Sequence, residues 1–146
     1  MIMLERITTL TDELLKLLKD DPVRPEIPAD FRVNTNSRVY VLKSEEGEPM
    51  AVTCVKLLAD IPQSVDDLAN VAVNTTTAVF YTIWSYAAGA GRRLITAAQE
   101  DIKTHEPQVT TFVTLSPKTE MARAFHHKNG ATTFRENADS VNYQYH

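Results

Sequence analysis

Residues 76–84 read Thr-Thr-Ala-Val-Phe-Tyr-Thr-Ile-Trp, an almost unbroken run of β-branched and aromatic side chains. A strand with one wet face alternates apolar and polar residues, whereas a continuous apolar run marks a strand covered on both faces. Such a strand needs a layer on each side. The sequence supplies a helix at once: after the small-residue loop Tyr86-Ala87-Ala88-Gly89-Ala90-Gly91, residues 92–105 carry Leu94, Ile95, Ala98 and Ile102 at helical spacing. Gln108 to Leu115 then reads as a second buried strand. A helical crossover between two strands makes them parallel, so these two are expected to run the same way.

The remaining elements follow from the same rules. Arg38 to Lys43 and Met50 to Leu58 form a hairpin across Glu45-Glu46-Gly47-Glu48. Ser64 with Asp67 is placed to cap a short helix ending at Ala69. Lys118 to Lys128 is a helix, and Ala131 to Arg135 and Val141 to Tyr145 are strands. At the amino terminus Ile2, Leu4, Ile7, Leu10, Leu14, Leu17 and Leu18 recur at helical spacing, which predicts an amphipathic helix up to Asp20-Asp21-Pro22. Its apolar stripe packs on the domain, or serves as a dimer face or a membrane-surface helix, so a homo-oligomer stays open. Pro22, Pro25 and Pro28 make an extended connector, so residues 1–30 are helix plus connector. The order predicts a single α/β domain over residues 1–146 with a mixed central sheet.

The 146 residues fit one domain, and a net charge of −4 carries no nucleic-acid signal. No apolar run approaches the roughly 18 residues of a membrane span. The amino-terminal residues lack the order of a signal peptide. The single Cys54 has no internal disulfide partner, which suits a reducing compartment. A cytoplasmic protein without nucleic-acid or membrane partners is expected. No His, Cys or carboxylate group has zinc spacing, so no metal is expected.

Two places can hold chemistry. Small residues in the 86–91 loop let backbone approach a ligand, and the helix that follows offers free N–H groups, a positive dipole end and the charges of Arg92 and Arg93. That is a plausible pyrophosphate cradle. The second is Phe125-His126-His127-Lys128-Asn129-Gly130-Ala131, where an imidazole sits beside an aromatic ring just before a turn. A helix turns about 100° per residue. His126 therefore groups with Ala122 on the buried stripe, and His127 with Arg123 on the wet face.

The order strand, Gly-x-Gly loop, helix, strand, helix, strand resembles the GNAT superfamily of acyl-coenzyme A enzymes, as does the stretch from Met121 to Ala131. That superfamily's Tyr, the acid for the departing thiolate, falls on His126. Over residues 38–145 the chain is more similar to the catalytic domain of malonyl-CoA decarboxylase. The segments that carry this likeness are Gly47-Glu48-Pro49-Met50, Ile61-Pro62-Gln63-Ser64, Phe80-Tyr81-Thr82-Ile83, Thr114-Leu115-Ser116-Pro117, Phe125-His126 with Asn129-Gly130-Ala131, and Val141-Asn142-Tyr143-Gln144-Tyr145. The resemblance implies a GNAT-type sheet whose parallel strands splay around a pantetheine arm. It implies acyl-CoA, as malonyl-CoA or acetyl-CoA, for the substrate. The implied catalytic residues are Ser116, His126 and Tyr145. Gly89, Ala90, Gly91, Arg92 and Arg93, with Thr82 and Trp84, are the implied coenzyme-binding set. Decarboxylation of a malonyl thioester, acetyl transfer to an amine, and a catalytically silent binding or interaction module all remain open.

Overall fold

The computed structural model describes residues 2–10 and 12–146. One mixed sheet orders its strands β1-β2-β3-β4-β5-β7-β6. They are β1 Met3–Ile7, β2 Ser37–Lys43, β3 Pro49–Leu58, β4 Thr77–Ser85, β5 Thr111–Thr114, β6 Thr132–Glu136 and β7 Val141–Tyr145. The α-helices are α1 Ala29–Arg32, α2 Ala90–His105 and α3 Glu120–Lys128, and Glu13–Asp20 and Asp66–Ala69 are 3-10 helical. Among the described residues only β4 and β5 pair in parallel, across the α2 crossover.

Strand β4 is buried from both sides, as its composition demanded. On one face Ala78 and Phe80 pack with Leu94, Ile95, Ala98 and Ile102 of α2. On the other, Val79, Tyr81 and Trp84 pack with Leu17, Leu18 and Leu68. Side chains alternate along a regular strand, yet Phe80 and Ile83 share a face. A bulge explains this: the register with β3 steps from Val55↔Phe80 to Cys54↔Thr82, leaving Tyr81 as the extra residue.

The amino-terminal amphipathic helix expected from Ile2 to Leu18 does not form. Met3 to Ile7 is instead an edge strand, antiparallel to β2 with Leu4 opposite Leu42 and Ile7 opposite Val39. Thr11 lies outside the described residues, and a 3-10 helix follows with Asp12 accepting from Leu14 N at 2.8 Å. Three-residue spacing fits a helix stripe, but in a strand it sends side chains to opposite faces. Leu4 accordingly joins the α2 side of the sheet and Ile7 the other. The free edge of β2 supplies ladder partners that an isolated helix lacks, and the apolar residues expected to share one stripe are divided between the two faces of the sheet. At the short turn before Ala69, Asp67 accepts from Gln63 N at 2.9 Å, while Ser64 offers its carbonyl to Asp67 N rather than a side-chain cap.

The Pro-rich connector is pinned by a buried ion pair. Arg32 Nη1 donates to Asp21 Oδ2 at 2.7 Å, with both side chains at 1% exposure or less. Asp21 Oδ1 also accepts from Val23 N, Arg24 N and Thr82 Oγ1, while Arg32 donates to the carbonyls of Ile27 and Arg24. Burial alone would raise the Asp21 pKa, but these hydrogen bonds outweigh it and hold it below the ordinary value. Removing one member strands the other's charge in a dry interior, which costs about 3–5 kcal/mol. Asp21→Asn and Arg32→Met should each lower stability by that amount in urea unfolding. A loss under about 1 kcal/mol in either would contradict a charged, fully satisfied pair.

Candidate functional site

Pairing between β4 and β5 ends where Leu115 N donates to Phe80 O at 3.0 Å. Strand β4 continues to Ser85, while the chain after β5 turns aside toward α3. The gap is a slot of about 470 Å³. Its walls are β4 from Phe80 to Ser85, the Leu115-Ser116-Pro117 segment, Pro22 and Val23 of the pinned connector, and Gly91, Phe125 and His126 from the helices. With Thr119, Met121 and Ala122, these lining residues are mainly apolar, and among the described residues that line the slot none is Asp or Glu.

Two of the predicted catalytic residues line this slot, and the third stands behind one of them. His126 is 4% exposed, and its ring stacks on Tyr143 at 5.1 Å between centroids. His126 Nδ1 lies 2.7 Å from Tyr145 Oη. Burial, with a smaller push from His127, lowers the His126 pKa to about 4, so the ring is neutral near pH 7. Burial raises the Tyr145 pKa, which keeps its phenol protonated. When that phenol donates to Nδ1, the imidazole carries its own hydrogen on Nε2. His127 is exposed and meets Thr133 Oγ1 at 2.9 Å, as the helical phase predicted.

Ser116 is 4% exposed at the other side of the slot. Its backbone is tied both ways to Val141, each bond 2.9 Å, and its Oγ lies 2.8 Å from Thr114 Oγ1. Asn142, which sequence reasoning did not single out, holds this corner. Its Nδ2 donates to Thr114 O at 2.8 Å and Pro62 O at 3.0 Å. Arg135 reaches the carbonyls of Ile61 and Pro62, and Ser140 that of Gln63. The 61–63 segment and the closing strand, far apart in sequence, thus meet at Ser116.

No family model matches the chain, and no curated protein matches it in sequence. Solved structures do match. Malonyl-CoA decarboxylase from Rhodopseudomonas palustris superposes with a TM-score of 0.75 at 22% identity, over 99% of this chain and 59% of that one. The malonyl-CoA decarboxylase from Agrobacterium vitis gives 0.70 at 26% identity, over 85% of this chain and 35% of that one. Arabidopsis thaliana NAA60 in complex with acetyl-CoA gives 0.67 at 12% identity, over 99% of this chain and 98% of that one. The chain has the GNAT fold. It spans between one third and three fifths of the two decarboxylases.

Within this GNAT fold the expected coenzyme-binding positions divide. Gly89 has φ of 76°, a left-handed conformation that glycine adopts without penalty, and it opens α2. Gly91 serves packing: a Cβ there would meet the Phe125 ring at 3.0 Å. Ala90 N donates to Ala87 O at 3.2 Å, so this N–H, one of those expected to face a pyrophosphate, is already engaged. Arg92 and Arg93 are exposed on the first turn of α2. Thr82 and Trp84 line the slot, but the Thr82 hydroxyl is bonded to Asp21 and the Trp84 indole N–H to Tyr86 Oη. These two residues offer a ligand their backbone and apolar surface, not their polar atoms. Tyr86 in turn donates to Asp20 Oδ2 at 2.7 Å, tying the loop to the connector. Cys54 is buried beneath the sheet, its thiol pushed up to about 11 by burial, and takes no part in the slot. Among the described residues no group of His, Cys, Asp or Glu is arranged to hold a metal, and no helix is long and apolar enough to cross a membrane.

The buried neutral His126 makes stability depend on pH. Its folded pKa, near 4, lies below the unfolded 6.5, so the unfolded chain binds the proton more readily. This contribution is complete above about pH 6.5 and is lost as pH falls toward about 4. Between pH 7 and pH 5 the wild type should lose about 2 kcal/mol more stability than His126→Gln in urea titrations. Equal losses in the two proteins would show that the ring is not buried in neutral form.

Proposed function

We propose that this chain is an acyl-CoA enzyme that decarboxylates a malonyl-type thioester to the acetyl thioester. The observation that carries the reading is the pairing of a neutral, Tyr-bound His126 with Ser116 across one apolar slot that presents no carboxylate. Transfer of an acyl group to an amine calls for a base to take the amine's proton. Decarboxylation calls for hydrogen-bond donors and a proton, which these residues supply. The likeness to decarboxylase structures supports the same reading, as does the fold shared with a neighbour solved with acetyl-CoA.

In this reading the slot takes the pantetheine arm between β4 and the Leu115–Pro117 segment, with the thioester between Ser116 and His126. The bond to the carboxylate breaks, carbon dioxide leaves, and the electron pair passes into the thioester carbonyl as an enolate. Ser116 Oγ–H and His126 Nε2–H are the donors for the enolate oxygen, and one such donor is worth about 3–4 kcal/mol in comparable sites. His126 then gives its Nε2 proton to the enolate carbon while Nδ1 takes the hydroxyl proton of Tyr145. Both groups are restored when Nε2 takes a proton from water entering the slot and Nδ1 returns its own to Tyr145. The seating of the pyrophosphate at the α2 amino terminus, beside Arg92 and Arg93, belongs to this proposal too.

Incubation with malonyl-CoA and no amine should release carbon dioxide and acetyl-CoA. His126→Ala should abolish turnover with coenzyme A affinity nearly unchanged, the pattern of an interaction used mainly in the transition state, while His127→Ala changes little. Release of coenzyme A from acetyl-CoA only when amines are added would favour acetyl transfer instead. The absence of binding heat with millimolar acyl-CoA and folded protein would leave an interaction module.

A further inference from the structure

Thr114, the last residue of β5, is fully buried. Two polar atoms lie within hydrogen-bond distance of its Oγ1: Tyr143 N at 3.1 Å and Ser116 Oγ at 2.8 Å. A backbone N–H only donates, so Oγ1 accepts from Tyr143. The hydroxyl still has one hydrogen to place, and leaving a buried donor unpaired is costly. Ser116 Oγ is the acceptor within reach among the described residues. If Ser116 donated instead, the Thr114 hydrogen would be stranded in the dry interior. With Thr114 donating, the Ser116 hydrogen is the one left over, and it belongs to a residue that lines the slot.

We infer that Thr114 is a positioning residue that donates its hydroxyl hydrogen to Ser116 and so turns the Ser116 hydrogen toward a thioester carbonyl in the slot. The inference rests on the acyl-CoA reading above, though not on which reaction follows. Ser116 has little other means of orientation. Its N–H and carbonyl are both committed to Val141, so the side-chain torsion is what remains to be set. Thr114 is itself held from three directions, since Asn142 Nδ2 grips its carbonyl, Tyr143 N its hydroxyl, and β4 its strand edge.

The test compares binding of acetyl-CoA with that of S-ethyl-CoA, a thioether without the carbonyl oxygen, by calorimetry. The wild type should prefer acetyl-CoA by about tenfold, the worth of one net hydrogen bond. Thr114→Val, which keeps the branched shape and deletes the hydroxyl, should remove most of that preference while leaving S-ethyl-CoA affinity unchanged. Thr114→Ser should restore it. Ser116→Ala should lower it at least as far, to the share that His126 supplies, and adding Thr114→Val to Ser116→Ala should change nothing more. If the valine variant does not fold, Thr114→Ala removes the same hydroxyl and carries the comparison. A preference that survives loss of the Thr114 hydroxyl, or none in the wild type, overturns the inference while the acyl-CoA reading stands. Failure of the wild type to bind either compound overturns both.

Discussion

Strand β4 outruns its parallel neighbour, and the site depends on that mismatch. Up to Phe80 the two strands share a ladder; from Tyr81 to Ser85 the β5 side is missing, because the chain leaves β5 at Leu115 and heads for α3. A strand edge opened inside a sheet exposes backbone polar groups and apolar walls together, which is what a coenzyme arm carrying amides and methylenes can use. The opening would invite collapse if its far wall were loose. The Asp21–Arg32 pair prevents this by fixing Pro22 and Val23, which line the slot, and by bonding Thr82 of β4 itself.

Burial then gives the site its chemistry. A solvated His126 would titrate near working pH and a solvated Ser116 would donate to water. In the slot the first is held neutral and the second answers to Thr114. In both cases a neighbouring hydroxyl stands against the group: Tyr145 Oη 2.7 Å from the imidazole Nδ1 and Thr114 Oγ1 2.8 Å from the serine Oγ, and in the proposed reading these two set the hydrogens that face the slot. Two donors preset before a ligand arrives need no reorganisation as charge develops.

How much of this was legible in the sequence varies with the range of the interaction. Burial on both faces writes itself as a continuous apolar run, so β4 and its helical crossover were readable. The helical phase of α3 distinguished His126 from His127, because side-chain direction on a helix is local. The amino-terminal segment was misread because Leu4 and Ile7 satisfy a helical stripe and a two-sided strand equally well, and the free edge of β2 decides between them. The Asp21–Arg32 pair has no local signature, since Asp21 reads as part of the Asp20-Asp21-Pro22 helix stop and its partner lies beyond the prolines. Thr114 and Asn142 left no local signal, since their importance comes from bonds across strands to Ser116, Tyr143 and Pro62. The resemblance in the closing strand did point to Tyr145, but not to the hydrogen bond that gives it a role.

In the proposed complex an acyl thioester lies in the β4–β5 opening with its carbonyl between Ser116 and His126. A crystal structure with a malonyl-CoA analogue that cannot lose carbon dioxide tests it most directly. The arm should lie between Thr82–Ser85 and Leu115–Pro117, with the carbonyl oxygen within hydrogen-bond distance of Ser116 Oγ or His126 Nε2. An analogue bound with its acyl group outside this slot, or with both atoms turned away from the carbonyl, would contradict it.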